Sequence, residues 1–236
     1  MRAKIKQGRK IGMSSKKITY APYEQRSEPL AYLLGKETFW KMELIVTRDT
    51  LIPRPETECM VRWILTHCTQ DKIHLADLGT GTGAIAIALS SEKPQWCIDV
   101  TDISEKALNV AKQNAKKHAC SNISFYLGDW CAALPNKKYD LIVSHPPCVI
   151  DDELQSFMDL THEPQQALEA GKKGLDAIIS VIQCARTFLK SHGTLVIQHA
   201  PDQMNDVIDL FRKAGFSTVS SFQDLSGVNR FVAGTL

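Results

Sequence analysis

The sequence predicts an α/β protein with a doubly wound, mostly parallel sheet of seven strands, and three observations favour this fold. The chain has 236 residues, of which 44% are hydrophobic and 23% are charged, as is typical of one well-packed domain. From Ile73 onwards, short apolar runs alternate with helical segments, a pattern typical of a parallel sheet covered by helices on both faces. The first run ends in a glycine-rich turn, and such sheets bind ligands at the carboxyl ends of their strands.

A basic segment opens the sequence. Seven Lys or Arg residues and no acidic residue lie within residues 1–23. We predict a disordered tail over residues 1–27, because a charged segment with few large apolar residues cannot bury enough surface to fold. An arm that contacts RNA or the ribosome is one alternative interpretation, and an organellar transit peptide is another.

Residues 28–70 are predicted to connect this tail to the main domain. Apolar residues within 38–40 and 44–47 predict the two strands of a hairpin. Pro53 and Pro55 then force an extended segment that ends where a helix begins. Apolar residues at helical spacing predict that this helix runs from Thr57 to Cys68.

Residues 71–236 are predicted to form the main domain, in which strands and helices alternate. Ser104 is a good N-cap for the second of its helices, and Gly215 is a good C-cap for the last one. The predicted strands are 74–78, 96–101, 123–127, 139–144, 193–199, 217–222 and 230–233. The predicted helices are one that begins at residue 84, followed by 104–117, 175–189 and 202–214.

The turn after the first strand of this domain carries the strongest functional signal. It reads Asp77-Leu78-Gly79-Thr80-Gly81-Thr82-Gly83, and glycines are needed there because the turn is tight and a ligand must approach bare backbone. The spacing also fits the dinucleotide-binding pattern, so a nicotinamide cofactor is an open alternative. The residues of this loop that we predict to bind the cofactor are Asp77, Gly79, Thr80, Gly81, Thr82 and Gly83.

Polar residues after the first three strands refine the cofactor prediction. A carboxylate at Asp77 would repel a pyrophosphate but suits the ammonium group of a methionine moiety, which favours S-adenosylmethionine over a nicotinamide. Asp102 ends the second strand and can accept hydrogen bonds from ribose hydroxyls, which both cofactors possess. Asp129 and Trp130 follow the third strand and are predicted to place a polar group and a ring near the adenine.

The loop after the fourth strand is the candidate acceptor site. It reads Ser144-His145-Pro146-Pro147-Cys148, and its two prolines lack N–H groups and restrict the residues before them to extended geometry. Such a loop is rigid, and its carbonyl oxygens are not consumed by secondary structure. It can therefore hold the protons of a planar –NH2 group while the nitrogen lone pair points at a methyl group.

From about residue 28 to its end, the chain resembles the HemK/PrmC family of protein-(glutamine-N5) methyltransferases. The resemblance rests on Leu51-Ile-Pro-Arg-Pro-Glu-Thr-Glu58, on the glycine loop, on Asp129-Trp130 and on Glu163-Pro164. It implies a Rossmann-like class I methyltransferase fold and a methyl acceptor in the Gly-Gly-Gln loop of peptide-chain release factors. It further implies that Gly79 to Gly83, Asp102 and Trp130 hold S-adenosylmethionine, and that His145, Pro146, Pro147 and Cys148 hold the glutamine side chain.

One motif departs from the family pattern. The family has Asn-Pro-Pro-Tyr where this chain has His145-Pro146-Pro147-Cys148. His145 is therefore the candidate catalytic residue, but a neutral imidazole offers only one acceptor nitrogen and a protonated one offers none. With an ordinary pKa near 6.5, His145 would lose its acceptor role, and the enzyme its activity, as the pH falls through that region.

The departure keeps two further functions open. One is a cofactor-binding protein of low catalytic power that acts through its partners. The other is an N-methyltransferase for a nucleic-acid base, with the basic tail as its anchor. A methylation assay against release factors separates these alternatives from the glutamine reaction.

The cysteines, the hydropathy and the net charge limit which kinds of site and location the protein can have. The seven cysteines are odd in number and form no C-x-x-C pair, which argues against a disulfide framework or a metal site and for a reducing, cytoplasmic location. Cys131 and Cys184 are interpreted as small buried hydrophobic residues. No apolar run reaches the roughly 18 residues of a membrane span, and no secretory signal is expected. The net charge of +2 implies no general attraction to nucleic acid.

Overall fold

The computed structural model describes residues 28–150 and 162–236. The basic segment predicted over residues 1–27 lies outside this part of the chain. The strands are β1 (Lys36–Phe39), β2 (Met42–Ile45), β3 (His74–Leu78), β4 (Cys97–Asp102), β5 (Ile123–Leu127), β6 (Tyr139–Ser144), β7 (Leu189–Gln198), β8 (Thr218–Gln223) and β9 (Asn229–Thr235). The helices are α1 (Leu30–Leu34), α2 (Thr57–His67), α3 (Ala84–Glu92), α4 (Glu105–Lys117), α5 (Asp176–Phe188) and α6 (Met204–Lys213).

Seven strands form one sheet in the order β5-β4-β3-β6-β7-β9-β8, so the predicted fold class is confirmed. All neighbouring strands are parallel except β9, which is antiparallel to both β7 and β8. The chain moves outward from β3 to β5 on one side and returns through β6 on the other. The direction of winding therefore reverses between β3 and β6, and in such sheets ligands bind at the carboxyl ends of the strands beside this switch point.

The core lies on both faces of the sheet because the central strands are apolar on both sides. In β3, Leu75 packs in one cluster with α3, whereas Ala76 and Leu78 pack in the other with α5. In β6, Leu141 and Ile142 divide in the same way. Such two-sided burial is typical of parallel strands covered by helices, and it holds the strand ends rigidly.

The segment before β3 packs against the main domain. The hairpin β1–β2 is present, although each strand begins two residues earlier than predicted. The carboxamide of Asn114 in α4 accepts a hydrogen bond from Ile45 N (2.7 Å) and donates to Ile45 O (2.9 Å) and Thr82 O (3.0 Å). One side chain thus joins the hairpin to the glycine loop. Helix α1 at Leu30–Leu34 was not predicted.

The strand β7 differs from its prediction. It begins at Leu189 and not at residue 193, and α5 accordingly ends at Phe188. Leu189 pairs with Tyr139 of β6, and an irregularity in register follows before Thr194 pairs with Leu141. Pairing with β6 therefore places Leu189 in a strand, although the sequence predicted it as the last residue of a helix.

Cys131 and Cys184 pack in the hydrophobic core as predicted, but they are also joined by a disulfide bond, which was not predicted. Cys131 lies in the one-turn helix Trp130–Ala133, and Cys184 lies in α5. They are 53 residues apart in sequence, yet their Cα atoms are 5.8 Å apart. The other five cysteines are free. Within the described residues, no helix has both the length and the hydropathy of a membrane span.

Candidate active site

A cavity of about 390 Å³ opens at the carboxyl ends of the central strands, at the switch point of the sheet. It brings together the loops that follow β3, β4, β5 and β6. The predicted residues on its wall are Gly79, Thr80, Gly81, Thr82, Asp102, Asp129, Trp130, His145 and Pro147. Four other predicted residues, Asp77, Gly83, Pro146 and Cys148, do not line it.

The glycine loop is shaped by its contacts to β4 and to Trp130. The N–H groups of Gly79 and Thr80 both donate to Thr101 O, at 2.9 and 3.0 Å. Gly79 has φ +72°, and a Cβ atom there would lie 3.1 Å from the Trp130 ring. Glycine is therefore required on both grounds, conformation and close approach. Gly83 instead begins α3 against Ala111, so its role is in packing.

Asp77 lies behind the cavity wall. Its side chain is buried, with Oδ2 accepting a hydrogen bond from Thr80 Oγ1 at 2.7 Å. Its Oδ1 atom is buried without a hydrogen-bond partner in the described structure. Burial raises the pKa of Asp77 to about 7, and the Asp102 charge acts in the same direction, whereas the hydrogen bonds from Thr80 and from the Ala86 backbone lower the pKa. A cation in the cavity near Asp77 would further favour the ionised form of this buried carboxylate.

Asp102 is held in place by backbone donors. Its Oδ2 accepts from Gly81 N at 2.9 Å, and its Oδ1 accepts from Ser104 N at 2.9 Å. Burial raises the pKa of Asp102, and these backbone hydrogen bonds oppose the rise. Because an ionised carboxylate has about four acceptor positions, both oxygens can still accept hydroxyl donors from the cavity.

Trp130 forms a flat apolar wall beside the glycine loop. It follows β5 at the start of a single 3₁₀ turn and has a φ of 39°, which is uncommon for a residue with a side chain. This conformation brings its ring next to Gly79, and the neighbouring Cys131 is bonded to Cys184 in α5. The ring and its support suit a planar group such as a purine.

The loop after β6 presents His145 and Pro147 to the cavity, whereas Pro146 is buried behind them. Burial lowers the pKa of His145 to about 4, and the charges of Arg54 and Arg230 act in the same direction. His145 is therefore neutral at neutral pH, and its pKa lies below the ordinary value near 6.5 that was assumed from the sequence. Burial also raises the pKa of the Cys148 thiol to about 11.

Part of the wall comes from residues to which the sequence analysis gave no role. Arg54 donates from Nη2 to Glu163 Oε1 at 2.6 Å, and Glu163 Oε2 accepts from Ile52 N at 3.0 Å. The ion pair thus joins the proline-rich segment to the chain after β6. The motifs Leu51–Glu58 and Glu163-Pro164 both carry the family resemblance, and this resemblance was the signal by which Arg54 and Glu163 could have been found. The additional wall residues include Asp49, Thr50, Leu51, Pro53, Arg54, Thr57, Pro164, Gln166, Ala167 and Glu169, with Asp176, Ala177 and Ser180 of α5.

No group of three or more His, Cys, Asp or Glu side chains within residues 28–150 and 162–236 has a metal-binding arrangement. The polar groups on the wall are instead hydrogen-bond acceptors and donors beside an aromatic ring. This arrangement suits an organic cofactor with a ribose and a ring system.

The known sequences that are similar to this chain are those of methyltransferases. Residues 57–173 match the family described as the methyltransferase small domain. The release factor glutamine methyltransferase of Coxiella burnetii (strain RSA 493 / Nine Mile phase I) is 44% identical over 223 residues, which are 93% of this chain and 80% of that protein. The protein of the same name from Escherichia coli (strain K12) is 38% identical and covers 88% of this chain and 75% of its own length.

Solved structures show the same fold at low sequence identity. A methyltransferase from Pyrococcus furiosus has a TM-score of 0.61 at 15% identity, covering 81% of this chain and 87% of its own. A ribosomal protein L11 methylase from Lactobacillus delbrueckii subsp. bulgaricus has a TM-score of 0.56 at 17% identity, covering 77% and 78%. These likenesses establish the architecture.

Proposed function

The chain belongs to the family of release factor glutamine methyltransferases, and from this premise we propose that it methylates a glutamine side-chain nitrogen of a peptide-chain release factor. The methyl donor is S-adenosylmethionine, as the methyltransferase domain implies. One observation carries the proposal for the site. A single cavity joins the glycine loop, which suits the cofactor, to His145 and Pro147, which suit an amide acceptor.

The residues on the wall fit this cofactor. Asp102 offers carboxylate oxygens to ribose hydroxyls, and the Trp130 ring lies where an adenine can stack. Asp77, with its unpaired Oδ1, favours a positive ammonium group on the far side of Thr80. We therefore assign Gly79, Thr80, Gly81, Thr82, Asp102, Asp129 and Trp130 to direct cofactor contact, with Asp77 and Gly83 in support.

The acceptor side of the cavity orients the amide. When bound, S-adenosylmethionine supplies an electrophilic methyl group on its sulfonium. A ring nitrogen of neutral His145 accepts a hydrogen bond from one amide N–H, and a backbone carbonyl of the proline loop accepts a hydrogen bond from the other. Catalysis would then be mostly positioning, because an amide nitrogen held at near-attack distance needs no strong base before the transfer. Its surplus proton is lost to solvent afterwards, and S-adenosylhomocysteine is the leaving group. Pro146 and Cys148 contribute by shaping the loop from behind the wall.

The proposal is tested by incubating the protein with S-adenosylmethionine and a release factor. We expect mass spectrometry of the digested release factor to show one added methyl group on the glutamine of its Gly-Gly-Gln peptide. A release factor with alanine in place of that glutamine is the matched control and is expected to stay unmodified. Methylation of both proteins, or of neither, contradicts the proposal.

The departure at His145 favours a second candidate, a cofactor-binding protein of low turnover. In that case S-adenosylhomocysteine binds normally while the release factor stays unmodified. Methylation of a nucleic-acid base in the same assay would instead support the base methyltransferase. Contact with RNA or the ribosome through the basic residues 2–17, and a cytoplasmic location, stay predictions from composition.

Asp77 predicts a pH dependence of cofactor affinity. Its pKa is raised to about 7 without ligand, so folding favours the neutral acid. The contribution of Asp77 to the free energy of unfolding is therefore present below about pH 4 and is lost as the pH rises through 7. A cationic ammonium group favours the ionised form, so affinity for S-adenosylhomocysteine is expected to rise between about pH 6 and pH 8, by up to about tenfold per unit below pH 7.

Titration calorimetry across this pH range tests the prediction. The substitution Asp77→Asn removes the titrating group, so its affinity is expected to vary much less with pH. Equal pH dependence in the wild type and in Asp77→Asn would show that another group titrates.

A further inference from the structure

The acceptor loop has few means of holding itself in place. Because Pro146 and Pro147 have no N–H groups, the segment from His145 to Cys148 can donate backbone hydrogen bonds only at its two ends. Buried carbonyls of such a segment still require donors. Donors from neighbouring segments must therefore determine where the loop lies.

Gln203 supplies such a donor. This residue ends the one-turn helix Pro201–Gln203 that precedes α6, and its side chain is 4% exposed. Its Nε2 donates to Cys148 O and to Gly174 O, each at 3.0 Å, while its Oε1 accepts from Ala200 N at 3.0 Å. One carboxamide thus joins the loop after β6, the turn before α5 and the end of β7.

Gly174 provides an independent sign that this junction is built for close contact. A Cβ atom at Gly174 would lie 2.5 Å from Gln203 Nε2 and 2.6 Å from Cys148 O. Gly174 also has a φ of +65°, which a residue with a side chain rarely adopts. Any larger residue would separate the Gln203 amide from the acceptor loop.

We propose that Gln203 is a positioning residue for methyl transfer. Its amide holds the Cys148 carbonyl, so that His145 and Pro147 keep their positions on the cavity wall. Gln203 does not line the cavity, so it acts through the loop and does not touch the substrate. The inference rests on the proposed function, because the acceptor role of His145 and Pro147 belongs to it. Its structural part, the restraint of the loop, can be measured separately.

The substitution Gln203→Glu tests the proposal with little change in size. The carboxylate still accepts from Ala200 N, but it places oxygens against the carbonyls of Cys148 and Gly174 where N–H groups were. Since a displacement of about 1 Å in a positioned group can cost ~10²-fold, we expect kcat on the release factor to fall ~10–100-fold. We expect a smaller change in KM and an unchanged affinity for S-adenosylhomocysteine. Hydrogen exchange in the peptide 144–150 is expected to accelerate.

Asn122 offers a matched control at the opposite, amino edge of the sheet. Its Nδ2 donates to Trp96 O (2.9 Å) and Lys93 O (3.4 Å), so it also joins backbone segments through a carboxamide. The variant Asn122→Asp is expected to lower the melting temperature while leaving kcat and the exchange of peptide 144–150 unchanged. If Gln203→Glu does not fold, Gln203→Met removes the donor at similar length.

The outcomes separate the inference from the function. Equal losses of kcat in the Gln203 and Asn122 variants, or unchanged exchange of the loop in the Gln203 variant, would overturn the positioning role. A wild-type protein that leaves release factors unmodified would overturn the proposed function. Accelerated exchange confined to the Gln203 variant would in that case still support the restraint of the loop.

Discussion

The substitution His145→Ala is expected to lower the methylation rate on a release factor by ~10²–10³-fold, the usual cost of losing one well-placed polar contact to a reacting group. His145 lies on the cavity wall at the position where the family resemblance implies an asparagine, and its neutral ring offers one acceptor nitrogen. The rate is measured at saturating cofactor, and His67→Ala, outside the cavity, is the control. An unchanged rate in His145→Ala would remove His145 from the mechanism.

The pH profile of the wild type tests the same residue without a mutation. Because burial lowers the pKa of His145 to about 4, the ring accepts hydrogen bonds at every pH above that value. We expect no loss of activity from His145 as the pH falls from 7 towards 5, and a loss only near pH 4. An acid limb near pH 6.5 that disappears in His145→Asn would show that the ring is solvated.

The double substitution His145→Asn with Cys148→Tyr gives the chain the Asn-Pro-Pro-Tyr motif that the family resemblance implies. A carboxamide oxygen accepts at every pH, so we expect turnover on a Gly-Gly-Gln substrate to rise, by as much as ~10²-fold if the imidazole is a poor substitute. Affinity for S-adenosylhomocysteine, measured beside the rate, is expected to stay unchanged. Normal cofactor binding without any gain in turnover would favour a different acceptor.

The second large effect is expected at Asp102. The substitution Asp102→Ala removes the acceptor for the ribose together with that for Gly81 N and Ser104 N. Loss of charge-assisted hydrogen bonds typically costs about 1–3 kcal/mol, so the Kd for S-adenosylhomocysteine is expected to rise on the order of 10–100-fold. Titration calorimetry measures this change directly.

Asp99 in the same strand is a matched control for Asp102. It is buried and accepts from Tyr139 Oη at 2.7 Å, with Lys137 Nζ at 2.6 Å, but it does not line the cavity. Asp99→Asn is expected to lower the melting temperature and to leave cofactor affinity unchanged. If both variants weaken binding equally, the loss at Asp102 reflects stability and not contact with the ribose.

The sequence was sufficient to predict those helices, strands and turns that are determined by residues close together in the chain. The run at 74–78, the glycine turn after it and the Ser104 cap were all visible, and Ser104 Oγ accepts from Ala107 N at 3.2 Å as expected of a cap. Helix α1 and the first part of β7 were missed. Both depend on what they pack against: Leu189 is in a strand because it pairs with Tyr139 of β6.

The candidate site could be predicted only in part. The loops that follow β3 to β6 were identified because carboxyl ends of parallel strands meet at one edge. The contribution of Arg54 and Glu163 was missed, since they lie 109 residues apart in sequence. The positions of Asp77 and Cys148 behind the wall also follow from the path of the chain around them, which no local pattern records.

By itself, the sequence determined the class of fold, the order of the strands along the chain and the residue types offered to a cofactor and an amide, because periodicity and turn chemistry are local. Only the tertiary structure decided the protonation of His145, the Cys131–Cys184 bond and the link from Gln203 to the acceptor loop. Each of these depends on burial or contact between residues that are distant in sequence. A pKa and a hydrogen bond respond to surroundings that exist only once the sheet has brought those segments together.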